Sequence, residues 1–218
     1  SALGFGGITA PTYNFAITES YNGSAWTEVA DLNTGRENMG GVGSSNTNAL
    51  AFGGVWATGP AYYNNTETWN GSSWTEVANL NTTRALVASA GVSNTSALAA
   101  GGFSLPPTPH AQTESWNGSS WTEVADLNVA KLSGAGAGAD NTSALQFGGN
   151  TGGTPVATTE LWNGSSWAET TDLGTARRNL AGTGTQASAL AFGGSPTTAS
   201  TEEWTGAGAP LVQTFTDS

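Results

Sequence analysis

Apolar residues along this chain come in short bursts set off by Gly, Asn, Ser and Thr, and nowhere recur at the 3.6-residue spacing of a helix. One unit reads as four strands. The first is small and alternating, as in "GGVGSS" (40–45) or "GAGAGA" (134–139). A turn at "NT" leads to the second, "NALAFGG" (48–54) or "SALQFGG" (143–149). After a longer loop comes the third, "TETWNG" (66–71), and then the fourth, "SSWTEVA" (72–78). The Asn-Gly between them predicts a tight hairpin of type I′, the two-residue turn that needs positive φ at both central positions.

The pattern repeats. "WNGSSWTEV" stands at 69–77 and again at 116–124, with near copies at 21–29 and 162–170. Thr-Glu pairs begin at 18, 66, 113, 159 and 201, and Gly-Gly pairs at 6, 53, 101, 148 and 193. A period near 47 built of short strands and turns predicts an all-β fold. The expectation is one domain over residues 1–218, a five-bladed β-propeller of four-stranded antiparallel blades. Eight of the nine Trp occupy repeated slots on the third and fourth strands, which predicts that they pack between blades. The small residues of the first strand fit a close approach at the axis of a ring of only five blades. The second, third and fourth strands occur five times but the first only four. Because "SALGFGG" is a mid-repeat phrase, the repeat is expected to begin upstream of Ser1. The tail, 208–218, serves either as the fourth strand of the last blade or as a strap that completes the first.

Charge narrows the function classes. A formal net charge of −11 argues against nucleic acid and anionic membranes as partners. No stretch approaches the roughly 20 apolar residues that span a bilayer, so no membrane insertion is expected. With no cysteine there is no disulfide, thiolate metal site or cysteine nucleophile.

The order of small strand, hydrophobic strand ending in Gly-Gly, aromatic third strand and Trp-started fourth strand resembles the kelch repeat. So does the cation before the first strand, at Arg36, Arg84, Lys131 and Arg177. In its tandem "WNGSSWTEVADLNTxR" the chain is similar to kelch-type propeller repeats of bacteriophage virion and tail-fibre proteins. The resemblance implies an extracellular, virion-borne propeller. It carries over no catalytic residue: the copper site of kelch-type oxidases needs histidines and a tyrosine–cysteine crosslink, and this chain has one histidine and no cysteine. The Asp-box of sialidase propellers also lacks its aspartate in "NGSSWTE".

Up-and-down strand order sends the 2–3 and 4–1 loops to one face and the uniform "NG" and "NT" turns to the other. Function is expected on the face where repeats differ. The 2–3 loops carry Tyr13, Phe15, Trp56, Tyr62, Tyr63, Phe103 and the single His110. Aromatic rings beside polar groups suit sugar or protein recognition, although the same rings could simply pack their own loops onto the blades. The 4–1 loops carry every cation, Arg36, Arg84, Lys131, Arg177 and Arg178. These either ring an anionic ligand or, being in register, pair with Asp31, Asp126, Asp172 or backbone carbonyls. The repeated carboxylates of Thr-Glu and of the fourth strand read as solvated strand residues, because a catalytic pair is not copied into every blade. No metal and no cofactor is expected. The expectation is a non-catalytic binding module for a host cell-surface glycan or outer-membrane component, alongside other virion proteins, with self-association left open. A structural or decoration protein and a glycan-acting enzyme are the two rivals.

Overall fold

The computed structural model describes residues 1–8, 15–56, 61–105, 108–196, 199–206 and 211–213. Among these there is no helix. Five antiparallel sheets succeed one another as the blades of a five-bladed β-propeller. Blade two holds Gly40–Ser45, Asn48–Phe52, Thr66–Trp69 and Trp74–Val77 from the axis outward. Blade three repeats this with Ala88–Ser93, Ser96–Ala100, Thr113–Trp116 and Trp121–Val124. Blade four uses Ala135–Asp140, Ser143–Phe147, Thr159–Trp162 and Trp167–Glu169. Blade five runs Ala181–Thr185, Ser188–Phe192, Thr201–Trp204 and Leu211–Gln213. Blade one has three strands, Ala2–Phe5, Thr18–Tyr21 and Trp26–Val29.

The tail takes the nearer of its two options: Gln213 stands opposite Thr201 and Leu211 opposite Glu203, so it forms the fourth strand of the last blade. The Asn-Gly hairpin differs from the predicted I′ turn. In "WNGSSW" positive φ falls on Gly71 alone, at 99°, and Asn70 contributes its side chain instead. Its Oδ1 accepts from the backbone N–H of Ser72 and Ser73 at 2.9 and 3.0 Å. The same asparagine clasp recurs at Asn22, Asn117 and Asn163.

The two Trp of each hairpin have different duties. Trp69 stands opposite Trp74, ring centroids 5.5 Å apart. The third-strand indole donates within its own blade, Trp69 Nε1 to Asn46 O at 2.9 Å. The fourth-strand indole reaches back to the preceding blade: Trp74 donates to Thr18 Oγ1, Trp121 to Thr66 and Trp167 to Thr113. Each is more than nine-tenths buried. A Trp removing 150–250 Å² from water contributes about 4–6 kcal/mol before conformational entropy is charged against it. Four apolar clusters follow, one at each junction from blades one and two to blades four and five. Innermost strands touch backbone to backbone: a Cβ on Gly136 would lie 2.3 Å from Ser89 O, which explains their Gly, Ala and Ser.

Candidate functional site on the loop face

Each 4–1 linker enters its blade through a cation, and the structure overturns the anion ring and the aspartate pairing while bearing out the contacts with backbone carbonyls. Arg36, Arg84, Lys131 and Arg177 are 0–1% exposed, so they form no open ring for an anionic ligand. Their partners are the Thr-Glu carboxylates, not Asp31, Asp126 or Asp172: Arg36 pairs with Glu67, Arg84 with Glu114, Lys131 with Glu160 and Arg177 with Glu202. These four glutamates are therefore buried as well, contrary to the solvated reading, while Glu19 and the fourth-strand Glu28, Glu76, Glu123 and Glu169 are exposed. The reason is electrostatic. A cation this deep costs several kcal/mol unless a carboxylate and further acceptors meet it. Arg84 has both, with Nη2 3.0 Å from Glu114 Oε1 and Nη1 donating to the carbonyls of Gly101 and Gln112. The other carboxylate oxygen accepts from Asn81 N and Nδ2. Burial pulls the Arg84 and Lys131 pKa values down, and the paired glutamates oppose it. Asp172 acts on backbone instead, its Oδ1 accepting from Thr159 N at 3.0 Å.

The aromatic candidates sit differently. Beyond Gly54 the blade-two loop doubles back, with Val55 bridged to both Glu37 and Tyr62 and Trp56 N–H donating to Ala61 O at 2.9 Å. Trp56 is 39% exposed, and Tyr62 and Tyr63 are half-buried. Tyr62 reaches across to the neighbouring blade, its ring 5.8 Å from that of Phe103 in an edge-on contact. Partial burial raises the Tyr62 phenol above its ordinary value. In blade three the loop forms a small ribbon, Phe103–Ser104 against Thr108–Pro109, that leaves Leu105 50% exposed. His110 clasps this ribbon, with one ring nitrogen 2.7 Å from Ser104 Oγ and the other 2.6 Å from Gln112 Oε1. Phe15 is half-buried in blade one, away from this group, and its N–H donates to Gly7 O. Tyr13 lies outside the described residues.

A further feature, at the axis, has no signature in the repeat. Two residues after each cation the chain turns left-handed, at Asn38, Leu86, Ser133 and Asn179, with φ of 53–57°. Leu86 N–H donates to Asn38 O, Ser133 to Leu86 O and Asn179 to Ser133 O, a relay of hydrogen bonds from blade to blade. It surrounds a cavity of about 400 Å³ lined by these residues with Met39, Val87, Gly134 and Leu180. Positive φ at a leucine is costly and needs such bracing. Asn alone would have signalled it; Leu86 and Ser133 hide it. Among the described residues no three His, Cys, Asp or Glu gather in a way that could hold a metal.

The fold and this face define the class, a β-propeller with a braced axial mouth and an aromatic cluster on the loops of two adjacent blades. No protein-family model matches the chain, and no curated protein is significantly similar to it.

Proposed function

We propose that the protein is a non-catalytic recognition module that binds a cell-surface glycan or other outer-membrane component through its loop face, as part of a phage tail fibre or virion appendage. One observation carries the binding reading: Tyr62 and Phe103 meet across two blades, flanked by the exposed Trp56 and Leu105, on the face where the repeats diverge. An apolar platform of this kind stacks against the C–H face of a sugar ring, while the surrounding Ser, Thr and Asn meet its hydroxyls. The virion setting rests on the kelch-like repeats and their resemblance to phage propellers. Among the described residues the opposite face is built mostly of repeated asparagine turns, which suit spacing rather than discrimination.

The test is a glycan array and a host-cell adsorption assay with the Trp56→Ala/Tyr62→Ala double variant. Binding should fall at least about tenfold, as expected when hot-spot aromatics are removed, with an unchanged circular dichroism spectrum. Undiminished binding moves the site off this cluster. Absence of any glycan or cell binding by the parent protein, with particle assembly intact, assigns it a structural role instead.

A further inference from the structure

Blade four departs from the repeat at four neighbouring places, and together the departures form a polar niche on the axial mouth. Its linker enters on Lys131 where the others enter on Arg36, Arg84 and Arg177. Gly134 stands at the position of Met39, Val87 and Leu180, and Ser133 at that of Asn38, Leu86 and Asn179. On the second strand Gln146 replaces the alanine of Ala51, Ala99 and Ala191. Three of these changes compensate one another. In blades three and five the arginine donates to the first carbonyl of the Gly-Gly pair, Arg84 to Gly101 O at 2.9 Å and Arg177 to Gly193 O at 3.3 Å. In blade four that carbonyl, Gly148 O, accepts from Gln146 Nε2 at 3.2 Å instead. The carboxamide lies directly behind residue 134, where a Cβ would run into Gln146 Nε2.

Two polar groups are left over. Gln146 is 1% exposed, and its Oε1 has no hydrogen-bond partner among the described residues. Ser133 is 8% exposed and lines the cavity, and among the described residues its hydroxyl has no partner either. A buried polar group without a partner costs about 1–3 kcal/mol. The frame does not demand that cost, since blade three is built with leucine and alanine in the same places.

We propose that this niche makes the axial mouth a second subsite for the glycan held by the loop cluster, taking a further, uncharged sugar residue. The inference rests on the recognition reading above. None of the residues lining the mouth is charged: Leu86, Val87 and Leu180 offer apolar surface, and Asn38, Ser133 and Asn179 offer hydrogen bonds. That mixture suits a sugar ring, with its C–H faces and its hydroxyl rim. A cavity of about 400 Å³ lies in the size range of small-ligand sites. It also adjoins the aromatic cluster. Ala85, the residue before Leu86, is bridged to Phe103, whose ring meets Tyr62. One strand spacing, about 4.8 Å, therefore separates the rim of the mouth from the backbone of the cluster. A glycan stacked on Trp56 and Tyr62 extends past Phe103 into the mouth. There Ser133 meets a sugar hydroxyl directly, and Gln146 Oε1, behind Gly134, meets it through a trapped water.

Rewriting blade four in the residues of blade three tests this. Lys131→Arg/Ser133→Leu/Gly134→Val/Gln146→Ala copies Arg84, Leu86, Val87 and Ala99, a combination that already folds in this chain. Parent and variant are titrated with a neutral glycan bound on the array, supplied as its disaccharide and its tetrasaccharide. The parent should bind the tetrasaccharide at least about tenfold more tightly than the disaccharide. The rewritten variant should lose that gain and bind the disaccharide as the parent does, whereas Trp56→Ala/Tyr62→Ala should weaken both. Should the rewritten blade fail to fold by circular dichroism, Ser133→Ala decides. Leu86 shows that an apolar side chain is tolerated at this left-handed position, and loss of one hydrogen bond should weaken the tetrasaccharide alone, about two- to tenfold. Undiminished tetrasaccharide binding by the folded variant overturns the subsite, as does an array on which only sulfated or sialylated glycans bind. A parent that binds no glycan at all overturns the recognition reading itself, and the subsite with it.

Discussion

Glu114 and Glu19 are the same residue in the repeat and opposite cases in the structure. Glu114 neutralises an arginine that is fully buried, so Glu114→Ala leaves that charge stranded and should cost about 3–5 kcal/mol. Glu19→Ala, with no ion pair to break among the described residues, should stay within about 0.5 kcal/mol of the parent. Urea unfolding of the two variants side by side measures the contrast. Lys131 adds a pH signature. Burial holds its folded pKa below the ordinary 10.5, so between the folded value and 10.5 the unfolded chain carries the proton that the folded chain has released. Stability attributable to this group therefore rises with pH across that interval and levels off above it. The difference in stability between parent and Lys131→Arg, followed by denaturation from neutral to alkaline pH, should show this rise, because arginine does not titrate there. The sequence identified these cations as repeated and left open whether they ring an anionic ligand or serve the frame. It could not identify their partners, because Asp31, Asp126 and Asp172 are nearer along the chain than the glutamates that fold against them.

At the scale of the strand and turn, the Gly-Gly pair is the most informative device. Both glycines lie at positive φ in every blade, and in blades one to four the second donates its N–H to the following linker, as Gly102 does to Lys131 O at 2.9 Å. Gly101→Ala combines two penalties, a left-handed φ of 66° and a Cβ 2.4 Å from Lys131 O. Gly193→Ala carries the conformational penalty alone, about 1–2 kcal/mol. The first variant should lower the thermal midpoint well beyond the second, read by differential scanning calorimetry. Strand order, the hairpin positions and the small-residue inner strands were all legible in the repeat, since period-2 patterns and turn residues are local signals. The turn's inner geometry was not. Asn-Gly satisfies a type I′ turn as readily as the side-chain clasp that forms, and the choice depends on where the two flanking tryptophans set the strand register.

Across the whole molecule, stability is a sum over junctions, each blade touching only its neighbours. Truncation of a junction tryptophan, Trp121→Ala, should cost about 3–5 kcal/mol, against less than about 1 kcal/mol for Trp26→Ala. Acrylamide quenching should find the accessible fluorescence concentrated in Trp26 and Trp56, the two exposed indoles among the described residues, and Trp26→Phe should remove a large share of it. The same arithmetic separates frame from working surface. Repeated side chains are consumed in joining blades, so what remains for recognition, among the described residues, is the loop cluster of blades two and three with the axial mouth beside it.

By itself the sequence determined the all-β class, the five units, the strand order and the face on which the units differ, because these follow from periodicity and turn chemistry within about 47 residues. Only the tertiary structure decided that the cations are buried against Thr-Glu carboxylates, that Tyr62 and Phe103 meet, and that Leu211–Gln213 pair into the last blade. Each of these joins residues from different strands or blades, and the cost of burying a charge or an aromatic ring is set by what the neighbouring blade presents. Identical phrases thus acquire different fates, as Trp121 and Trp26 do, according to whether another blade lies against them.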